Sequence, residues 1–246
     1  MRICIINPNT TSAMTDLMAE VARSAAGPDT DIVAVTSSMG PASIESHYDE
    51  AMSVPGLLAA IVADRASEHP SDAYLIACFG DPGLDAAREI AGAPVLGIAQ
   101  AAMHLAALSG GGFSVVTTLG RTIGRAEELT HRYGVAGLCR GLHACEIPVL
   151  ELESNPDTEV ILTDACARAL TGDGSESVVL GCGGMADLAA RISDKIGAPV
   201  IDGVAAGVRL LQALVPVGGF PGPASGEFSR PPAKEYTGLL SGFALR

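Results

Sequence analysis

Cys78 and Cys182 close two apolar runs in the same way, "AYLIACFGDPG" (73–83) and "SVVLGCGGMAD" (177–187), each thiol followed by a glycine-containing turn and then a helical pattern. A free cysteine is more often a small apolar filler of a core than a reagent. A thiol on a turn between a strand end and a helix start is placed differently. Backbone N–H groups and the positive end of the helix lower its pKa toward neutrality, where the thiolate becomes a usable base. Two such thiols facing each other across a planar intermediate supply a base on one face of a carbon acid and an acid on the other, which is what inversion at that carbon requires. Because the two groups are alike, either can begin and the reaction runs in both directions.

The elements that must hold these thiols follow from the periodicity. Short β-rich runs bounded by Gly, Pro and Asn alternate with Ala- and Leu-rich segments of helical length, the pattern of a mainly parallel sheet. Strands are predicted at 2–7, 31–37, 73–78, 94–99, 113–118, 142–147, 177–182 and 198–202. Helices are predicted at 11–25, 54–68, 83–91, 100–109, 121–133, 157–171, 185–196 and 203–215. Eight strand–helix pairs also suit a closed barrel, but a repeat decides against it. "GAPVLGIAQAAMHLAAL" (92–108) aligns with "GAPVIDGVAAGVRLLQAL" (197–214), and each follows one of the cysteine turns. "MRICIINPNTT" and "GGFSVVTTLGRT" open the two halves alike. In open α/β sheets ligands bind beyond the carboxyl ends of strands, so two related lobes that face each other put Cys78 and Cys182 across one cleft.

Composition narrows the function classes. The chain has 246 residues, 48% of them hydrophobic, enough for one large domain or two small lobes. A net charge of −13 with no basic run argues against nucleic acid or an anionic membrane surface as partner and leaves small molecules. The start has one arginine before a short apolar run, and no apolar stretch approaches 18 residues, which predicts a cytoplasmic protein. Six cysteines without a secretory start read as reduced thiols. Lys195 and Lys234, the two lysines, do not follow an apparent core strand, so a Schiff-base cofactor has no anchor and no cofactor is expected. Cys139, His143 and Cys145 in "CRGLHAC" match no zinc spacing, and no metal is expected. Gly110 to Gly112 precede a strand rather than open a helix, so the dinucleotide fingerprint fails. The segment 217–246, rich in Gly and Pro, reads as a tail that is disordered or docks on a neighbour.

"NPNT" after the first strand, "ACFGDPGLDAAREI", "SVVTTLGRT" and "VVLGCGGMADL" resemble the aspartate/glutamate/hydantoin racemase superfamily over residues 1 to 215, most closely its hydantoin racemases, with allantoin racemases nearby. The resemblance implies two pseudo-symmetric Rossmann-like α/β lobes with the active site in the cleft between them. The first lobe would hold 1–97 with about 207–216, and the second 98–206. It implies a homo-oligomeric racemase independent of cofactor and metal, with Cys78 and Cys182 as the acid/base pair. Asn7, Ile44, Gly80, Thr117, Thr118 and Gly183 would line the substrate cleft.

These residue types suit a ring amide. Asn7 and the threonines offer neutral donors and acceptors, and amides in the cysteine turns could stabilise enolate charge. Asn7 and Asn9 also suit the turn before the first helix, and Thr117 and Thr118 suit a strand end. Amino-acid racemases of the superfamily carry Asn-Thr after the first cysteine and Thr-His after the second. Here Phe79-Gly80 and Gly183-Gly184 stand there, which disfavours a zwitterionic amino acid. Gly183 also stands where hydantoin and allantoin racemases more often carry Ala. Phe79 and Ile44 suit a hydrophobic 5-substituent on a hydantoin, whereas allantoin carries a polar ureido group. A malonate-type decarboxylase needs one protonating cysteine rather than two, and a non-catalytic small-molecule binder needs neither.

Overall fold

The computed structural model describes residues 1–218 and 226–245. Among these residues eight strands and eight α-helices alternate as the periodicity predicts. The first half runs β1 (Arg2–Asn7), α1 (Ser12–Ala25), β2 (Asp31–Thr36), α2 (His47–Arg65), β3 (Ala73–Ile76), α3 (Leu84–Ala91), β4 (Val95–Gly97) and α4 (Ile98–Ser109). The second repeats it with β5 (Phe113–Thr117), α5 (Ile123–Arg132), β6 (Cys139–Ala144), α6 (Thr158–Asp173), β7 (Ser177–Gly181), α7 (Ala189–Ile196), β8 (Val200–Ile201) and α8 (Gly203–Val217). The strands form two separate four-stranded sheets, ordered β2-β1-β3-β4 and β6-β5-β7-β8, and every pairing among the described strands is parallel. The repeat in sequence is thus a repeat in topology, and the barrel is excluded.

Strand parity organises the core, because successive side chains leave a strand on opposite faces. Ile3 and Ile5 of β1, Leu75 of β3, Phe113 and Val115 of β5 and Val179 of β7 join one cluster with Met18 of α1, Ile98, Ala102 and Met103 of α4, and Val204, Val208 and Leu211 of α8. The alternate residues Cys4, Ile6, Tyr74 and Ile76 face Leu57 and Ile61 of α2 and Leu84 and Ala87 of α3. Val116, Val178 and Leu180 face Leu162 and Ala169 of α6 and Ile192 of α7. Both sheets are therefore covered on both faces, as buried parallel sheets require. One face of each belongs to a core common to both halves.

Three expectations are corrected, and part of the tail can be described. Helix α2 begins at His47 rather than 54, because Ser46 caps it, its side chain accepting from Asp49 N at 3.1 Å, with Asp49 and Glu50 in the first turn; Pro55 lies inside the helix. Strand β6 spans 139–144 rather than 142–147, since it must pair with Phe113–Thr117, and Glu146 has φ 57. The helix after Cys182 opens as a 3-10 run, Gly183–Leu188, before α7. In the tail, residues 219–225 and 246 lie outside the described residues. Of the remainder, Phe228 packs under Arg88 of the chain's own α3, 5.5 Å from guanidinium carbon to ring centroid, and Gly238–Phe243 forms a 3-10 turn.

Helices α4 and α8 pack against each other, and glycine permits the approach. A Cβ on Gly203 would lie 2.5 Å from Ile98 O, a backbone atom with no freedom to yield. Gly203→Ala should therefore cost about 1–3 kcal/mol. Gly124→Ala, in α5 with nothing within 4 Å of its added Cβ, should gain about 0.4–1 kcal/mol by reducing unfolded-state entropy. Urea midpoints read by circular dichroism check both signs.

Candidate active site

The carboxyl ends of β1, β3, β5 and β7 meet at one cavity of about 180 Å³, room for on the order of ten waters. Cys78 follows β3 and Cys182 follows β7, and both line it. The two turns abut: a Cβ on Gly183 would sit 3.3 Å from the carbonyl oxygen of Ala77, the residue before Cys78. The same Cβ would meet Met18 Sδ at 2.6 Å, so Met18 fills the space that a side chain at 183 would need. Each sulfur sits within reach of the backbone two residues on, at Gly80 for Cys78 and Gly184 for Cys182, and both contacts favour the thiolate.

Burial outweighs those contacts. It pushes Cys182 up to about 12, with Cys145 and Glu45 adding to the rise. It pushes Cys78 higher still, with Cys182, Glu50 and Asp81 adding to the rise. The expected drop toward neutrality is thus reversed in the free protein. The reason is desolvation of the thiolate by burial, with the neighbouring acidic groups adding to it.

The other expected residues divide. Ile44, Phe79, Gly80, Thr117, Thr118 and Gly183 all line the cavity. Thr117 Oγ1 also donates to Gly181 O at 3.2 Å, tying the end of β5 to the end of β7. Asn7 does not line it. Fully buried, its Nδ2 donates to Asn9 Oδ1 at 2.8 Å and to Thr15 Oγ1 at 3.0 Å, and its Oδ1 accepts from Asn9 N at 3.2 Å. Asn7 therefore builds the turn, and Asn9 takes the place at the cavity wall. Cys139 and Cys145 donate to the carbonyls of Gly141 and Thr118, and His143 pairs with Asp173 at 2.6 Å. Among the described residues no cluster of three ligating side chains forms.

Several lining residues gave no sequence signal. Arg125 of α5 donates from Nε and Nη2 to Gly80 O, at 3.1 and 2.8 Å, and stands 3.4 Å from Glu50 Oε1. Burial raises the Glu50 carboxyl above its usual range, with Arg125 opposing. Glu45 Oε1 accepts from Val149 N at 2.7 Å, crossing between the halves. His47 and Arg121 complete the polar wall, while Met14, Ala126 and Val149 add apolar surface. The one available cue is Arg121 and Arg125 at i,i+4 just past the "TT" strand end.

Two parallel α/β halves, each sending a thiol-bearing turn to one cavity, have the architecture of a cleft-site enzyme. The chain belongs to the Asp/Glu/hydantoin racemase family, whose description matches residues 3–211, and it is a racemase, hence an isomerase. It is 43% identical over 244 residues to a hydantoin racemase of Pseudomonas sp. (strain NS671), covering 99% of this chain and 97% of that protein. It is 46% identical over 219 residues to one of Rhizobium meliloti, covering 89% and 90%. The structure of an allantoin racemase from Klebsiella pneumoniae superposes with a TM-score of 0.94 at 44% identity, covering 99% of each chain. No helix among the described residues is long and apolar enough to cross a membrane.

Because burial holds both thiols toward the protonated form, their alkylation by iodoacetamide should accelerate about tenfold per pH unit from about pH 7 to 9, following the thiolate fraction. Mass spectrometry of the two labelled peptides checks this. A rate that levels off by about pH 8 would contradict the burial-dominated assignment.

Proposed function

We propose that the chain racemises 5-substituted hydantoins by proton transfer between Cys78 and Cys182 at C5. The observation that carries this reading is the presence of both thiols on one cavity, from turns at equivalent places in the two halves. The hydantoin racemases among its relatives support the substrate class. On this reading the first lobe is 1–97 with about 207–216 and the second is 98–206, a division supported by the packing of α8 on β3 and of α4 on β7.

As substrate enters, one cysteine gives up its thiol proton to solvent and, as thiolate, takes the C5 proton, and the electron pair left on carbon delocalises onto the adjacent ring carbonyl. The opposite thiol delivers its proton to the other face. At the end the first sulfur is a thiol and the second a thiolate, so the protein is ready for the reverse direction or resets by exchange with solvent. Buried N–H groups of the two turns and the Thr117 and Thr118 edge offer the enolate oxygen polar partners, which strengthen where water is excluded. Ile44, Phe79 and Val149 form an apolar wall suited to a hydrophobic 5-substituent. Allantoin is the second reading, favoured by Glu45, His47 and Arg121 on the same cavity, which could bind a ureido group, and by the allantoin racemase neighbour.

Exchange of the C5 proton for deuterium in heavy water tests this, with each enantiomer of benzylhydantoin and of allantoin against an enzyme-free control. Cys78→Ser and Cys182→Ser should each lower racemisation by about 10²–10⁴-fold, the usual worth of a positioned acid or base. Each variant should keep exchange on one enantiomer only, opposite for the two. Absence of exchange on both compounds with the unaltered protein would overturn the reading. Preference for allantoin would select the second substrate.

A further inference from the structure

The two halves hold their cysteine turns by different means. In the second half, Asp202 caps α8 in the ordinary way, its Oδ1 accepting from Val204 N at 2.8 Å and Ala205 N at 2.9 Å. The repeat places Gly97 at the same position before α4, with Ala99 and Gln100 matching Val204 and Ala205. Gly97 has nearly the backbone of Asp202, φ −99 and ψ 156 against φ −89 and ψ 148, but no side chain to cap with. The two N–H groups are nevertheless capped by a carboxylate. It is that of Asp81, whose Oδ1 accepts from Ala99 N at 3.0 Å and whose Oδ2 accepts from Gln100 N at 2.8 Å.

Asp81 lies three residues after Cys78 and closes its turn, donating its N–H to Cys78 O at 3.0 Å. It is 1% exposed and has φ 45, a left-handed conformation that a non-glycine residue adopts only where its surroundings hold it. Tyr133, just past α5, adds a third donor, its hydroxyl 2.5 Å from Asp81 Oδ2. The two sources of the cap exclude each other, since a Cβ on Gly97 would lie 2.1 Å from Asp81 Cγ. The residue equivalent to Asp81 after Cys182 is Met185, a buried member of the outer core, so the second turn has no such tether.

We propose that Asp81 is a positioning residue for Cys78 alone. By lending its carboxylate to the start of α4 in place of a local cap, it fixes the Cys78 turn at the cavity, while the Cys182 turn, closed by the matching backbone bond from Met185 N to Cys182 O at 3.2 Å, has no such carboxylate. The proposal rests on the reading of Cys78 as an acid/base group.

The test moves the carboxylate to where the other half keeps it. Asp81→Ala removes cap and tether together, whereas Asp81→Ala with Gly97→Asp restores the cap without the tether. Enantiomers are assigned by the exchange that survives in Cys182→Ser, which depends on Cys78, and in Cys78→Ser, which depends on Cys182. In Asp81→Ala both the urea midpoint and Cys78-dependent exchange should fall, the exchange by at least about tenfold. In the double variant the midpoint should recover while Cys78-dependent exchange stays low and Cys182-dependent exchange stays within about twofold of the unaltered protein. Recovery of both by the double variant, or equal slowing of both enantiomers, would overturn the proposal. If Asp81→Ala does not fold, the comparison is read in the double variant and in Asp81→Asn. If the unaltered protein exchanges neither hydantoin nor allantoin, the acid/base reading fails by itself. The positioning claim is then decided by alkylation, where the double variant should alter the Cys78 rate and leave that of Cys182 unchanged.

Discussion

Ile3, Ile5, Phe113 and Val115 point into one dry core common to both sheets, and that burial sets how far apart the two cysteine turns can stand. Each fully buried side chain of this kind contributes about 1.5–3 kcal/mol relative to exposure, so the shared cluster holds far more free energy than any polar contact at the cavity. The cavity is what remains where this core stops, beyond the carboxyl ends of the central strands. Met18, Ile98 and Gly183 sit at that boundary, and the contact of Gly183 with Met18 and Ala77 shows how little space is left between the halves. Close-packed interiors transmit such constraints with little give, which suits chemistry that needs two groups on opposite faces of one atom.

The same dryness acts against ionisation. A thiol is useful as a base only when deprotonated, yet partial burial at the cavity wall pushes both sulfurs up, and the carboxylates of Glu45, Glu50 and Asp81 add to the effect. The N–H contacts at Gly80 and Gly184 oppose it without winning. Both sulfurs are thereby held toward the thiol form. The polar wall of Arg121, Arg125, Glu50 and His47 lies on the same cavity, so the charge balance there is set by residues from three helices or helix starts rather than by the cysteine turns alone.

What could be read from the sequence was what repeats. The two "GAPV" segments and the two cysteine turns carry the fold, the number of halves and the meeting of Cys78 and Cys182 at one cavity, because a duplicated strand–turn–helix leaves a duplicated pattern. Parity on β1 and β5 could likewise be read as near-continuous apolar runs. Asn7 was misplaced because an asparagine after a strand suits a binding edge and an internal turn equally, and only the network with Asn9 and Thr15 decides between them. Glu45 and Glu50 were invisible because each reaches the cavity from a separate element with no spacing to betray it, and Arg125 offered only its i,i+4 spacing to Arg121. The rise of the thiol pKa was not legible because burial leaves no local mark in the sequence.

The pseudo-symmetry is therefore closest in the backbone and weakest in the side chains that support it. A racemase converts mirror-related substrates, but its two halves are made of the same L-residues and cannot be mirror images, so nothing in the chemistry obliges the supports of the two thiols to match. The carboxylate at the start of α4 and the one at the start of α8 satisfy the same pair of N–H groups, yet one arises from the cysteine turn and the other from the helix's own cap position. Moving that carboxylate along the chain leaves the helix equally capped while changing what else is held. In the first half, order in the turn is thereby coupled to the start of α4, which packs against the second sheet, and to Tyr133 of the second half. The second turn lacks this coupling and is flanked by two glycines and by Met185 in the outer core. Duplication supplies two thiols at one cavity, and divergence of a single capping position makes their surroundings unequal.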